Sequence, residues 1–518
     1  VIRRLPPAIL SSLFVNSVFV FVAVLLSPMI GRAEDHTKTV LKIEHFDSDP
    51  GWEGFNNRVM LSRVPTVAQD FGYSLTHVAS DSKGEVGGRV QRASKPAYYA
   101  DKTPTKTLND KLTASGSFAI TGTGGNSGVF FGWFNADQPG ASGRPLNSLG
   151  LDFDGEGGGA RLAVRMISGT NKTCGTFVTP FIPGKFRPTP IRADGTRYTW
   201  TLSYDPEANG GNGRFEFTIK SHGTKLEELD AKNLPADMPE RYKQEALSRF
   251  PNVTTFAVDV PAEVRKAGAS FDRFGLLNMM KPGHAMTIYF GDLAHDGKAA
   301  DFSRDPGWEG SGNRVTYEEH ERVGAHDYGF SAATNFAGGK PGEIGGALWR
   351  GGQFSYYADR VGPLSLDDRL EARGRIVLKI GGPDSDAFLG WFNSSNKDRP
   401  PTDVGGFLGV HIGGPTRIGH YFQPSIATAK GKRDQSAAGP VLTPGKVYDW
   451  SLVYDPSADH GNGTITVTLG TESVTLALKS GIKAQSGNFD RFGLFTPAIG
   501  GQSVRMYLDD LTYTSGRR

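Results

Sequence analysis

Trp200-Thr-Leu-Ser-Tyr204 alternates apolar and polar residues, so Trp200, Leu202 and Tyr204 share one face of an extended strand. A Gly210-Gly-Asn-Gly213 turn follows, and Arg214-Phe-Glu-Phe-Thr-Ile219 resumes the period of two. Asn-Gly between two such runs predicts a β-hairpin. The pattern returns at Trp450, Leu452 and Tyr454, crosses Gly461-Asn-Gly463, and continues through Ile465, Val467 and Leu469 to Val474, Leu476 and Leu478. The chain has 518 residues, 68 of them glycine and 11% aromatic. Glycine at about twice its usual share supplies tight turns, and the aromatics suit strands rather than helices. An all-β chain of antiparallel strands in two-sheet jelly rolls follows.

Outward from the hairpin, the sequence repeats. Phe46-Asp-Ser-Asp-Pro-Gly-Trp-Glu-Gly-Phe55 returns as Phe302-Ser-Arg-Asp-Pro-Gly-Trp-Glu-Gly-Ser311, an offset of 256. Gly84-Glu-Val-Gly-Gly, Tyr98-Tyr-Ala-Asp and Gly132-Trp-Phe-Asn return at Gly342, Tyr356 and Gly390, each at 258. Tyr204-Asp-Pro returns at Tyr454 and Phe271-Asp-Arg-Phe-Gly-Leu at Phe489, offsets of 250 and 218. Ordered matches with slowly drifting offsets mark a tandem duplication. The last drop places 32 extra residues in the first copy. These form an insertion at about 220–251, in which Met238–Phe250, with Pro239 near its start, predicts a helix. The expected boundaries are a first domain at 38–297 and a second at 298–518.

Lys and Arg number 57 against 54 Asp and Glu. Arg3, Arg4 and Arg32 lie in residues 1–33, which contain no acid, so 34–518 balances to zero. A balanced chain has no global field for nucleic acid or an anionic membrane. Arg3 and Arg4 precede an apolar stretch from Leu13 to Leu26 and a Gly31-Arg-Ala33 end, which predicts a secretory signal cleaved after Ala33. The expected protein is secreted, periplasmic or at the cell surface, with no membrane span after cleavage. One cysteine, Cys174, excludes an internal disulfide framework. No phosphate-binding glycine loop, dinucleotide fingerprint or Gly-x-Ser-x-Gly is present, so no nucleotide or redox cofactor is expected.

The opening Phe-x-x-Asp-Pro-Gly-Trp segments, the late Phe271-Asp-Arg-Phe-Gly-Leu276 strand and the closing Tyr289-Phe-Gly-Asp-Leu293 and Tyr507-Leu-Asp-Asp-Leu511 strands resemble the concanavalin A-like, or laminin G-like, jelly-roll superfamily. The resemblance covers both copies and extends to duplicated secreted bacterial proteins of no assigned reaction. It implies a protein that binds or acts on polysaccharide. Leu149-Gly-Leu-Asp-Phe-Asp-Gly-Glu156 is similar to the E-x-D-x-x-E strand of laminarinase-type β-glucanases. Here Asp152 stands at the nucleophile position in place of Glu, and the spacing to Glu156 is one residue short. Asp152 and Asp154 should share a strand face about 6.5–7 Å apart, a separation at which paired carboxylates can cleave a glycoside. Asp152, Asp154 and Glu156 are therefore the catalytic candidates. Solvated acids balanced by Arg161 and Arg165 are the alternative. In the second copy His411 and Gly413 take the two aspartate positions.

Sugar rings stack on aromatics, and their hydroxyls bond to Asn, Asp and Arg. Tyr98, Tyr99, Trp133, Asn135, Trp391 and Asn393 are candidate glycan contacts, with Glu85, Arg92, Arg161, Arg165, His411 and Arg417. Core packing for the tryptophans, turns for the asparagines and a Glu85–Arg92 pair are the competing roles. Asp47 and Asp49 open the first copy and Asp292 closes it; Asp305 and Asp510 do the same in the second. First and last strands of a jelly roll lie side by side, so these acids could gather round a structural Ca²⁺, or cap Asp-Pro turns. The leading expectation is a two-domain binder of an extracellular polysaccharide. A glycoside hydrolase or polysaccharide lyase with its site in the first copy is the alternative, and a structural cell-surface module is the third.

Overall fold

The computed structural model describes residues 39–516 apart from 60–63, 141, 179–189, 223–252, 321–324, 352, 400–404, 415–416, 432, 486 and 497–500. The expected signal at 1–33 and the helix within the insertion lie outside the described residues. Among the described residues, no helix is long and apolar enough to cross a membrane.

The predicted hairpin forms: Arg197–Asp205 pairs with Arg214–His222, with Trp200 opposite Ile219 and Tyr204 opposite Phe215. It belongs to a sheet ordered Val253–Asp259, Arg214–His222, Arg197–Asp205, Leu112–Thr123, Ala285–His295, Glu85–Gln91, Thr66–Ser74 and Arg314–Glu318. A second sheet runs Thr173–Phe177, Gly159–Ile167, Ser148–Glu156, Gly125–Phe134, Ser270–Asn278, Tyr98–Thr107 and Glu309–Ser311. Phe118, Ile120 and Phe290 of the first sheet meet Phe131, Trp133, Leu151 and Phe153 of the second in one buried core. Phe131 and Phe290 stack with centroids 3.9 Å apart. Each such side chain contributes about 1.5–3 kcal/mol by leaving water.

The second copy builds an equivalent sandwich around Trp391, Trp450, Leu452 and Tyr454. Its hairpin pairs Val447–Asp455 with Thr464–Leu469. Strands in both sandwiches pair antiparallel, as a jelly roll requires.

The sheets do not follow the repeat boundary at 297/298. Thr39–Glu44 pairs with residues 511–516, Glu53–Phe55 with 356–358, and Arg58–Val59 with 326–327. The segment that opens the first copy therefore completes the second sandwich. Reciprocally, Glu309–Ser311 pairs with 98–100 and Arg314–Glu318 with 66–70, so the opening of the second copy completes the first. We call residues 39–59 the first arm and 298–318 the second.

Aromatic burial docks both arms. Phe46 and Trp52 enter the second core, where Trp52 lies 5.7 Å from Tyr357 and 5.9 Å from Tyr513. Phe302 and Trp308 enter the first, with Trp308 5.9 Å from Tyr99. Asn57 donates to the Tyr328 carbonyl at 2.6 Å and Asn313 to that of Phe71 at 2.5 Å. The repeated Gly-Glu motifs permit this approach. A Cβ at Gly84 would collide with the Phe302 carbonyl, and one at Gly342 with that of Phe46. Both glycines also have positive φ, +97° and +116°.

Glu53 and Glu309 anchor the arms by charge. Glu309 accepts from Tyr98 at 2.6 Å and pairs with Lys102 and Arg273; Glu53 accepts from Tyr356, Arg360 and Arg491. Partial burial would raise the Glu53 carboxyl, but these hydrogen bonds outweigh it and hold it at about 2. Lys102, Tyr98 and Arg273 hold Glu309 at about 2 as well.

Two outcomes follow. Trp52→Ala should cost about 3–5 kcal/mol and raise amide exchange across residues 326–516, although Trp52 is encoded in the first copy. Both arm carboxyls are depressed from 4.5, so their stabilisation is complete above that value and is lost as pH falls towards about 2. Amide exchange at 53–55 and 309–311 should rise through that window, and Glu53→Gln with Glu309→Gln should flatten the step.

Candidate functional site

The strand Ser148–Glu156 divides its side chains as a period of two dictates. Leu149, Leu151 and Phe153 enter the core; Asp152 and Asp154 face outward. Asp152 is nonetheless only 3% exposed, because arginines cover it. Its Oδ2 accepts from Arg144 Nε and, at 2.8 Å, from Arg165 Nε. Asp154 accepts from Arg92 and from Arg144 Nη2, and Glu156 pairs with Arg161. Arg161 and Arg165 come from the neighbouring strand, where Arg161 is in register with Asp154. Arg144 reaches in from the loop before the strand.

Electrostatics follow from this packing. Burial alone would raise the Asp154 carboxyl, but Arg144, Arg92, Arg161 and Arg165 outweigh it and lower it. Asp152, foremost, and Asp154 raise the Arg144 guanidinium; desolvation lowers that of Arg92. Asp152 Oδ1 is buried without a hydrogen-bond partner.

The second sandwich contributes to the same place. Residues 39–518 form one compact unit, and the two sandwiches meet where Lys281 pairs with Asp384 and Gly143 lies against Pro383. At this seam Arg417 donates from Nε to Asn171 Oδ1, across 246 residues of sequence. Desolvation, then the Arg144 and Arg165 charges, lower its pKa to about 10. Among the described residues no carboxylate lies within ion-pair distance of Arg417. Arg144, Arg165 and Arg417 are thus each fixed through Nε; among the described residues the Nη groups of Arg165 and Arg417 and one of Arg144 have no hydrogen-bond partner, while the Arg165 guanidinium lies 5.1 Å from the Phe177 ring centroid.

Other candidates sit elsewhere. Trp133 and Trp391 are fully buried; Trp133 packs 5.1 Å from Phe274, and Trp391 Nε1 donates to the Thr514 carbonyl at 3.0 Å. They offer no stacking surface, because the second face of each strand is the sandwich core. Tyr98 and Tyr99 serve the second arm, through Glu309 and, at 3.0 Å, Asp305. Asn135 accepts from the Asp137 amide and Asn393 from the Ser395 amide, which makes both turn residues. Glu85 does not pair with Arg92; it accepts from the Val78 and Ala79 amides at 2.9 and 2.8 Å and clamps that loop. His411 lies over Phe388, 4.6 Å between centroids, and 3.5 Å from Asp386.

The acids proposed for Ca²⁺ do not assemble. Among the described residues no group of three or more Asp, Glu, His or Cys side chains could hold a metal ion. Asp49 caps the Gly51 amide, and Asp305 takes that of Gly307 besides Tyr99. Asp510 faces His45 of the first arm at 2.9 Å. Arm exchange therefore separates Asp47 and Asp49 from the sandwich that holds Asp292. Asp292 and Asp510 adopt positive φ, 49° and 52°, where the closing strands bulge.

A cavity of about 400 Å³ under the second arm is lined by Asp101, His295, Lys298, Asp305 and Trp308. Asp101 there lies 3.0 Å from His295 Nε2 and 3.8 Å from Lys298, so its charge is balanced.

No family model and no curated protein matches the chain. Among solved structures, mouse laminin α1 domains LG4–5 are 12% identical over 85% of this chain and 93% of that one, with a TM-score of 0.23. Endo-β-1,4-glucuronan lyase from the fungus Trichoderma reesei is 12% identical over 38% and 91%, TM-score 0.27. Lotus tetragonolobus seed lectin is 9% identical over 37% and 93%, TM-score 0.26. The antiparallel two-sheet jelly-roll class is defined by the chain's own sheets.

Asp152→Asn would leave Arg144 and Arg165 against a neutral amide inside a covered cluster. It should cost about 3 kcal/mol, as breaking a buried pair does. Denaturant unfolding followed by amide exchange in residues 148–167 checks this.

Proposed function

We propose that this is an exported protein that binds an extracellular polysaccharide at the seam between its two sandwiches. The observation that carries the reading is the combination of unmet groups there. Among the described residues Arg144, Arg165 and Arg417 present terminal guanidinium nitrogens without hydrogen-bond acceptors, above a covered Asp152. A sugar supplies hydroxyl oxygens for such guanidinium forks. The basic, apolar leader sequence supports export.

The acids favour binding over cleavage. A general acid must keep its proton near neutral pH, which needs a raised pKa. Asp154 is lowered, and both aspartates are bracketed by arginines. These carboxylates hold the arginines in place.

A glycan array combined with a polysaccharide-digestion screen tests the reading. Retention of at least one polysaccharide without new reducing or unsaturated ends is the expected result. Failure to retain any glycan would remove the proposal; release of fragments would move it to the hydrolase or lyase alternative.

A further inference from the structure

Charge at the seam narrows the ligand class. Five guanidinium groups, Arg92, Arg144, Arg161, Arg165 and Arg417, surround three carboxylates, Asp152, Asp154 and Glu156. Two positive charges are in excess among the described residues. Arg92, Arg144 and Arg161 are each satisfied by a carboxylate, and Arg165 by a share of Asp152. Arg417 is held by an amide oxygen and brought towards Arg144 and Arg165, charges of its own sign that, with desolvation, outweigh the opposing pull of Asp152. Gathering like charges in a partly desolvated place is unfavourable unless an anion joins them.

We propose that the seam binds the acidic groups of a glycan, a uronate carboxylate or a sulfate ester, through Arg144, Arg165 and Arg417. This rests on the seam being a glycan site. Guanidinium forks fixed at Nε present their Nη groups in the planar geometry that matches two oxygens of one oxyanion. Asp152, covered beneath them, holds Arg144 and Arg165 in place through its Oδ2. Arg417 makes the site a property of both sandwiches together: the first alone sets four arginines against three carboxylates, and Arg417 raises the surplus from one to two.

The second sandwich shows what the arrangement looks like without the surplus. His411 and Gly413 stand on the strand in register with Phe388 and Asp386, as Asp152 and Asp154 stand opposite Phe130 and Gly128. Arg350 there faces Asp386 at 3.6 Å, one cation to one carboxylate. The acid has moved to the adjacent strand, and none of the extra arginines is present.

Affinity electrophoresis and calorimetry on the full chain test the inference. The probes are alginate and polygalacturonate for carboxylate, dextran sulfate and carrageenan for sulfate, and dextran and glucomannan as neutral polymers. An acidic polymer should bind, and its affinity should fall steeply between about 50 and about 500 mM salt. Arg417→Gln, whose amide can still meet Asn171, should weaken that binding about tenfold or more and reduce the salt slope, with an unchanged melting temperature. Arg165→Gln provides a second reading at the same place. Equal binding of neutral and acidic polymers with no effect of Arg417→Gln would overturn the charge inference and leave the glycan reading standing. Binding of none of the polymers would overturn both. The carboxylate and sulfate arms separate the two sources of the oxyanion.

Discussion

Two indoles, Trp52 and Trp308, each complete the hydrophobic core of the sandwich to which the rest of their own sequence copy does not belong. Large aromatic burial is the strongest local term available to a segment of about twenty residues that forms few other contacts. It fixes the arm, and the arm then covers a sheet edge: Glu309–Ser311 beside Tyr98–Thr107, and Glu53–Phe55 beside Ser355–Leu364. Uncovered, those strands would present unpaired backbone groups to other chains. The glycines at 84 and 342, the Tyr98 and Tyr356 hydroxyls and the paired Glu309 and Glu53 all serve this docking. Tyr98 and Tyr99, which resembled ligand contacts in the sequence, belong to the receptor for the second arm.

With the arms accounted for, chemistry remains at the seam. There the division of labour differs from that of a glycosidase. The carboxylates lie deep, fully ion-paired on one oxygen each or more, and the guanidinium groups stand above them. Rigid strands carry the acids, so the arginines inherit fixed positions at little entropic cost on binding. The arginines hold the Asp154 carboxyl below its usual range, and the strand in turn fixes the guanidinium groups.

Much of this was legible in the residues. The hairpin around Trp200 and Tyr204 alternates cleanly, and its registers follow. Asp152 and Asp154 share a face, as their spacing requires. The face that Trp133 occupies was not legible, because both faces of Gly125–Phe134 are apolar: Phe131 and Trp133 point to the core, Phe130 and Phe134 to a smaller outer cluster. Period alone cannot rank two hydrophobic faces. Arm exchange was hidden for a related reason. The two arms carry nearly the same residues and fit equivalent grooves, so the repeat says what docks and is silent on where. Arg144 in an irregular loop, and Arg417, which meets Asn171 across 246 residues, belong to no local pattern. Only tertiary structure brings them together.

Pairing of Thr39 with Gly516 spans nearly the whole chain. Loop-closure entropy grows only with the logarithm of that span, so the equilibrium cost is modest; the kinetic consequence is larger. During synthesis the first arm emerges before any strand that can receive it, whereas the second arm directly follows its own partner sandwich. The first sandwich can therefore close as soon as residue 318 is available. The second must wait for its own last strand and then recapture a segment made at the start. The molecule is assembled like a belt whose buckle is made well before the strap it fastens, and the second sandwich closes only once residues 511–516 have been made.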